Sequence, residues 1–195
     1  MGLWGASTSD ESKPKNLTTA EKKNVFANAS GWVRQAGTAD NGNDNTSATP
    51  EVLVAIGDLS TSLGAATIDA VNFQVGQTVS GAGGSVLKVE VNYNEQVTVA
   101  TASPLMVVSN DQTGSGGSAS ITLTMDGSLP LTNDTLTFSA TVSNAAVNAT
   151  DVLSIGAQSI DKNGGTIKDT GTSTDSAVAI SAAQGTAAGT ITVGS

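Results

Sequence analysis

Apolar and polar residues alternate at a period of two along much of this chain, and that period predicts strands. The clearest case is 86–93, where Leu87, Val89, Val91 and Tyr93 share one face, with Lys88, Glu90 and Asn92 on the other. Further strands are expected at 96–100, 105–108, 119–125, 135–142, 152–155, around Ile167, at 178–180 and at 189–193. Clusters of Gly, Asn, Asp and Ser separate these runs, as turns require. Regular short strands with such punctuation predict an antiparallel β-sandwich over 85–195.

The preceding stretch, 51–84, holds three apolar runs, at 51–56, 67–75 and 78–80. They form either a small β-region of their own or the first strands of the same sandwich. Gly81, Gly83 and Gly84 suit a hinge or hairpin tip, and Gly164-Gly165 a turn with positive φ. Residues 1–50 read differently. Lys13-Pro14-Lys15 breaks regular structure, and Thr18 with Glu21 forms a capping box that predicts a short helix over 19–27. Residues 31–34 resume an extended course, and the Gly/Asn/Asp/Thr/Ser stretch 37–49 reads as a linker. The expected architecture is therefore all-β: an Ig-like antiparallel sandwich behind an extended N-terminal arm with little helix.

Composition narrows the function. The chain has 195 residues with no Cys and no His. That removes the disulfide, the thiolate nucleophile, the commonest general base and the commonest metal ligand. No Gly-x-Ser-x-Gly elbow is present. A carboxylate pair of glycosidase type would also want aromatic platforms, and aromatics are 3% of the chain. An enzyme is not expected.

The formal net charge is -9, so binding to nucleic acid through phosphates is not expected. Five of the eight basic residues, Lys13, Lys15, Lys22, Lys23 and Arg34, lie in the first 40 positions. The remainder holds three lysines against 13 acidic residues. No apolar run approaches the roughly 20 residues of a membrane span, and no signal peptide is expected at the start. Glu95, Asp134, Asp151, Asp161 and Asp169 are candidate Ca²⁺ ligands if their loops converge, but solvated turn carboxylates are the stronger expectation, and no cofactor is expected.

Two resemblances sharpen this reading. Residues 86–180 carry, in order, 89–99, 105–108, Thr135-Leu136-Thr137-Phe138, Ala149-Thr150-Asp151-Val152-Leu153 and Asn163-Gly164-Gly165-Thr166-Ile167-Lys168-Asp169. This order resembles a bacterial immunoglobulin-like repeat of surface and adhesion proteins, with Tyr93-Asn94-Glu95 where that family often has Phe-Ser-Glu. The first 35 residues carry Leu3-Trp4-Gly5, Asp10-Glu11-Ser12-Lys13-Pro14-Lys15, Glu21-Lys22 and Gly31-Trp32-Val33. They resemble the opening of small virion proteins of tailed phages, especially marine myoviruses.

Together the resemblances imply a virion structural protein of the capsid-decoration type. Its partner would be the major capsid protein, with like copies as lattice neighbours or a homo-oligomer, and its place the outer surface of the capsid. The expected anchors are Leu3, Trp4, Lys13, Lys15, Phe26, Trp32 and Arg34. For the two Trp residues, capping a small core is an equally weighted reading. A tail or neck component, or a cell-surface adhesion module with weak glycan binding, are the alternatives.

Overall fold

The computed structural model describes residues 12–28, 30–35, 49–57, 59, 65–114, 116–170 and 173–195. Among these residues fifteen elements follow one another, thirteen of them strands.

The N-terminal region builds a small sheet. Helix α1 (Thr19–Lys22) is one turn long. Its Thr18 cap accepts from the Glu21 backbone N–H, while the Glu21 carboxylate accepts from the Thr18 N–H at 2.7 Å. The chain then forms β1 (Val25–Asn28), β2 (Gly31–Arg34) and β3 (Glu51–Ala55). These pair antiparallel in the order β1-β2-β3. Phe26 faces Val33 across β1 and β2, and Ala27 faces Trp32. Val25, Ala27 and Trp32 form a core with Leu17, Leu53, Val54, Ile56 and Leu59 around it. Gly31 permits this packing: its φ is +121°, and a Cβ there would lie 2.1 Å from the Val54 carbonyl oxygen.

The expected helix over 19–27 is thus corrected. It stops at Lys22, and 25–27 belong to a strand. A single helical turn has little stability of its own. Val25, Phe26 and Ala27 gain more by pairing with β2 and burying their side chains than by extending the turn.

The larger body comprises β4 (Ile68–Phe73), β5 (Val86–Ala100), β6 (Leu105–Asn110), β7 (Ser120–Met125), β8 (Leu131–Thr141), β9 (Val152–Ser154), β10 (Gln158–Ser159), β11 (Thr166–Asp169), β12 (Ala179–Ile180), helix α2 (Ala182–Ala187) and β13 (Thr190–Thr192). The main sheet runs β11-β5-β8-β7-β6-β9-β13, with β4 also paired to β5. All these strand pairs are antiparallel. The sheet curls until its ends nearly meet, giving a sandwich close to a barrel. Gly194 forms a parallel bridge to Ser80, and its N–H donates to the Val79 carbonyl at 2.8 Å. Ala177 N–H donates to the Ala66 carbonyl, which ties the β12 side to β4.

The alternation read from the sequence is what fills the interior. Leu87, Val89, Val91, Tyr93, Val97 and Val99 of β5 are all at most 1% exposed. Ile121, Leu123 and Met125 of β7, and Leu136 and Phe138 of β8, fill the same core. Each fully buried side chain of this size contributes about 1.5–3 kcal/mol relative to exposure.

Strand β5 organises the edge that matters below. It pairs with β8 along most of its length, but the register shifts between Asn92 and Val97. On its other side it has two successive neighbours: β4 against 89–93 and β11 against 97–100. Residues 94–96 bulge in the gap between them. Two strands expected separately, 86–93 and 96–100, are therefore one bulged strand. The region expected over 51–84 divides: β3 pairs with β2, and β4 with β5. The run at 78–80 contributes the bridge at Ser80 and places Val79 in the main core. Gly164 has the expected positive φ of +78°.

Candidate functional site

The site lies where the small sheet meets the gap in β5. Ser12, Lys13 and Pro14 are buried there, and Lys13 is only 2% exposed. Its ammonium donates to the Lys22 carbonyl at 2.9 Å and to Glu95 Oε1 at 3.3 Å. The first contact ties the segment before α1 to the helix, and the second ties both to the sandwich. Glu95 projects from the β5 bulge, and its carboxyl also meets that of Asp169, the last residue of β11. Asp169 is 1% exposed.

Among the described residues, two carboxyls and one ammonium thus share this buried space. Burial pushes the Glu95 carboxyl up to about 7; Lys13 pulls it down, and Asp169 pushes it further up. Tyr93, one pleat away, donates its hydroxyl to the Ala177 carbonyl at 3.0 Å, and burial raises its phenol well above the usual value.

Beside this cluster opens a cleft of about 350 Å³, lined by Lys13, Thr19, Lys22, Lys23, Asp69, Tyr93 and Asn94. Lys23 forms an ion pair with Asp134 of β8, a second tie between the two parts. Arg34 Nη2 lies 3.9 Å from Glu21 Oε1, bracing β2 against α1. The Thr18 N–H, then the Thr18 hydroxyl, hold the Glu21 carboxyl below the ordinary range.

The expected anchors are distributed unevenly. Leu3 and Trp4 lie outside the described residues. So does most of the expected linker, 37–48. Lys13, Phe26 and Trp32 are buried inside the chain itself, at 2%, 5% and 1% exposure, so their side chains serve the chain's own packing. For Trp32 this matches the small-core reading. Arg34 is half-buried, and Lys15 alone of the described anchors is exposed.

The candidate Ca²⁺ carboxylates do not converge. Only Glu95 and Asp169 meet, and they do so around Lys13. Asp134 pairs with Lys23. Asp161 accepts from the Asn163 N–H at 2.8 Å, an Asx turn. Asp151 is buried and accepts from Gly114 N–H at 2.7 Å, Asn148 N–H at 2.9 Å and Asn110 Nδ2 at 2.8 Å. These bonds, the Asn148 N–H first, hold its carboxyl below the ordinary range and join two loops. Among the described residues, no group of three or more His, Cys, Asp or Glu is placed to hold a metal.

What sequence reasoning missed is the assembly itself. Lys13, Lys22, Lys23, Glu95 and Asp169 are ordinary charged residues in sequence. Their meeting depends on a bulge and on the gap between β4 and β11, for which no local pattern codes. Compared with known proteins, the chain matches no family model, no curated protein and no solved structure.

Proposed function

We propose that this chain is a virion structural protein of the capsid-decoration type, which binds the major capsid lattice through its N-terminal sheet and holds an Ig-like sandwich outward. The observation that carries the reading is the β3 edge of that sheet, which no other described strand covers. Among the described residues β3 pairs with β2 alone. Val52, near its start, is 50% exposed. A strand edge that the described residues leave uncovered, with an exposed apolar side chain, is what a partner needs to add a strand by backbone hydrogen bonding. Mounting this edge on a second body through two ion pairs fixes its direction. Repetition on a lattice multiplies a weak contact into a stable layer. The function is binding without chemistry, in keeping with a chain that has neither His nor Cys.

Because Lys13, Phe26 and Trp32 are structural, surface variants test the reading better than truncation. Expanded capsids are incubated with the intact protein, with Val52→Asp and with Lys15→Glu, and then sedimented. Saturable binding of the intact protein at one or a few copies per capsomer, weakened in Val52→Asp, supports the proposal. Binding at the copy number of a tail ring moves the protein to tail or neck. No binding overturns the assignment.

A further inference from the structure

The cleft beside the joint is built by two strand irregularities that meet. On β4 the register slips between Ile68, opposite Tyr93, and Ala70, opposite Asn92, so Asp69 is the extra residue of a bulge. On β5 the shift against β8 begins beyond Asn92, and Asn94 lies within it. Bulges turn a side chain away from the regular pleat, and here Asp69 and Asn94 both line the cleft. Asn94 Oδ1 accepts the Thr67 N–H at 2.7 Å, which fixes the amide and leaves Nδ2 as the donor. Tyr93, 1% exposed and braced through its hydroxyl, gives a rigid wall. From α1 come the Thr19 hydroxyl and the Lys22 ammonium. Among the described residues, the Thr19 hydroxyl, Lys22 Nζ, the Asp69 carboxylate and Asn94 Nδ2 have no protein partner. Lys22 and Asp69 line one cleft without pairing with each other.

We propose that this cleft binds a neutral saccharide. A sugar ring presents adjacent hydroxyls, each of which both donates and accepts. The cleft offers the complement within a small space: the Asp69 carboxylate accepts from hydroxyls, Lys22 Nζ and Asn94 Nδ2 donate to sugar oxygens, and the Thr19 hydroxyl does either. Its volume of about 350 Å³ lies at the lower end for small-molecule sites, which suits a short saccharide. An anion fits less well. The ammonium groups of Lys13 and Lys23 are engaged with Glu95 and Asp134, and Asp69 repels an anion that approaches Lys22. No residue of β3 lines the cleft, so the site is tested independently of binding at the sheet edge.

The test is amide NMR of the full, isotope-labelled chain, titrated separately with glucose, galactose, mannose and N-acetylglucosamine. Hydrogen bonds that replace bonds to water in an open cleft give weak binding, with a dissociation constant of about 1 mM. Saturable shifts at Thr19, Lys22, Asp69 and Asn94 with at least one of these sugars are expected. Asp69→Ala should weaken that binding about tenfold or more, because the carboxylate is the one charged acceptor lining the cleft. Asp69 is exposed and holds no other described residue, so the variant keeps the fold, which its unchanged amide spectrum at 86–91 and 135–141 verifies. Glucuronate and inorganic phosphate serve as anionic arms. Saturation by these alone makes the cleft an anion site and overturns the proposal. So does the absence of shifts with every neutral sugar, or equal binding by Asp69→Ala and the intact protein.

Discussion

Lys13 and Glu95, 82 positions apart in the chain, meet with Nζ 3.3 Å from Oε1, inside a joint that leaves the lysine 2% exposed. A buried ammonium needs a carboxylate and further acceptors, and Glu95 and the Lys22 carbonyl supply them. The strand bulge that presents Glu95 exists because β5 changes neighbours there, from β4 to β11. The joint is thus a consequence of sheet topology, and the N-terminal sheet is positioned by a defect in the edge of the larger one.

Removing the ammonium should be costly. Lys13→Met removes the ammonium that Glu95 faces, and breaking a buried pair from one side typically costs about 3–5 kcal/mol. Urea unfolding should show a loss of that order at neutral pH. A smaller loss is expected in mild acid, where Glu95 is protonated.

Stability should also depend on pH through Glu95, and the sign follows from its raised pKa. Relative to an ordinary Glu at 4.5, the folded chain holds this proton up to about 7. The contribution is complete below the unfolded value and is lost as pH rises through about 7. The difference in urea midpoint between the intact protein and Glu95→Gln should therefore change across that window and level off above it. Asp151 acts oppositely: its lowered pKa contributes stability above the ordinary carboxylate range, lost as pH falls through the folded value.

Asp151→Ala should detach two loops together. It removes the acceptor for Gly114 N–H, Asn148 N–H and Asn110 Nδ2, three donors that then lack this partner. The thermal midpoint should fall by several degrees, and amide protection at Gly114 and Asn148 should be lost first.

Gly185→Ala separates helix propensity from packing. Alanine favours a helix over glycine by about 1 kcal/mol. At this position, however, a Cβ would lie 2.2 Å from the Ile155 carbonyl oxygen. Forced overpacking costs about 1–3 kcal/mol, so the clash should win and the variant should be less stable. A calorimetric midpoint above that of the intact protein would contradict this packing of α2.

Trp32→Ala should empty the core of the small sheet while sparing the sandwich. The indole sits with Val25 and Ala27, apart from the larger cluster around Leu136 and Phe138. Exchange protection should vanish at 25–34 and persist at 86–91. Uniform loss across both would mean that the two cores fold as one unit.

The amino-acid sequence determined the β-class and the inner faces of the long strands, because alternation at a period of two is local and survives any register. Leu87, Val89, Val91 and Tyr93 could be assigned to the core with no partner known. The capping box of Thr18 and Glu21 was equally legible, since it spans four residues. The extent of α1 was not, because Val25–Asn28 becomes a strand only when β2 is beside it. Helix α2 carries the same signal, with Ser181 capped by Gln184, but its Ala-Ala-Gln-Gly-Thr-Ala run has no apolar stripe. It is held instead by Gln184 bonding to the Ile68 carbonyl and by Gly185 lying against β9's end. Only the tertiary structure decided that Lys13, Glu95 and Asp169 meet. Their pairing depends on which strand leaves the edge of β5 and which replaces it, and long-range pairing of that kind leaves no periodic trace in the chain.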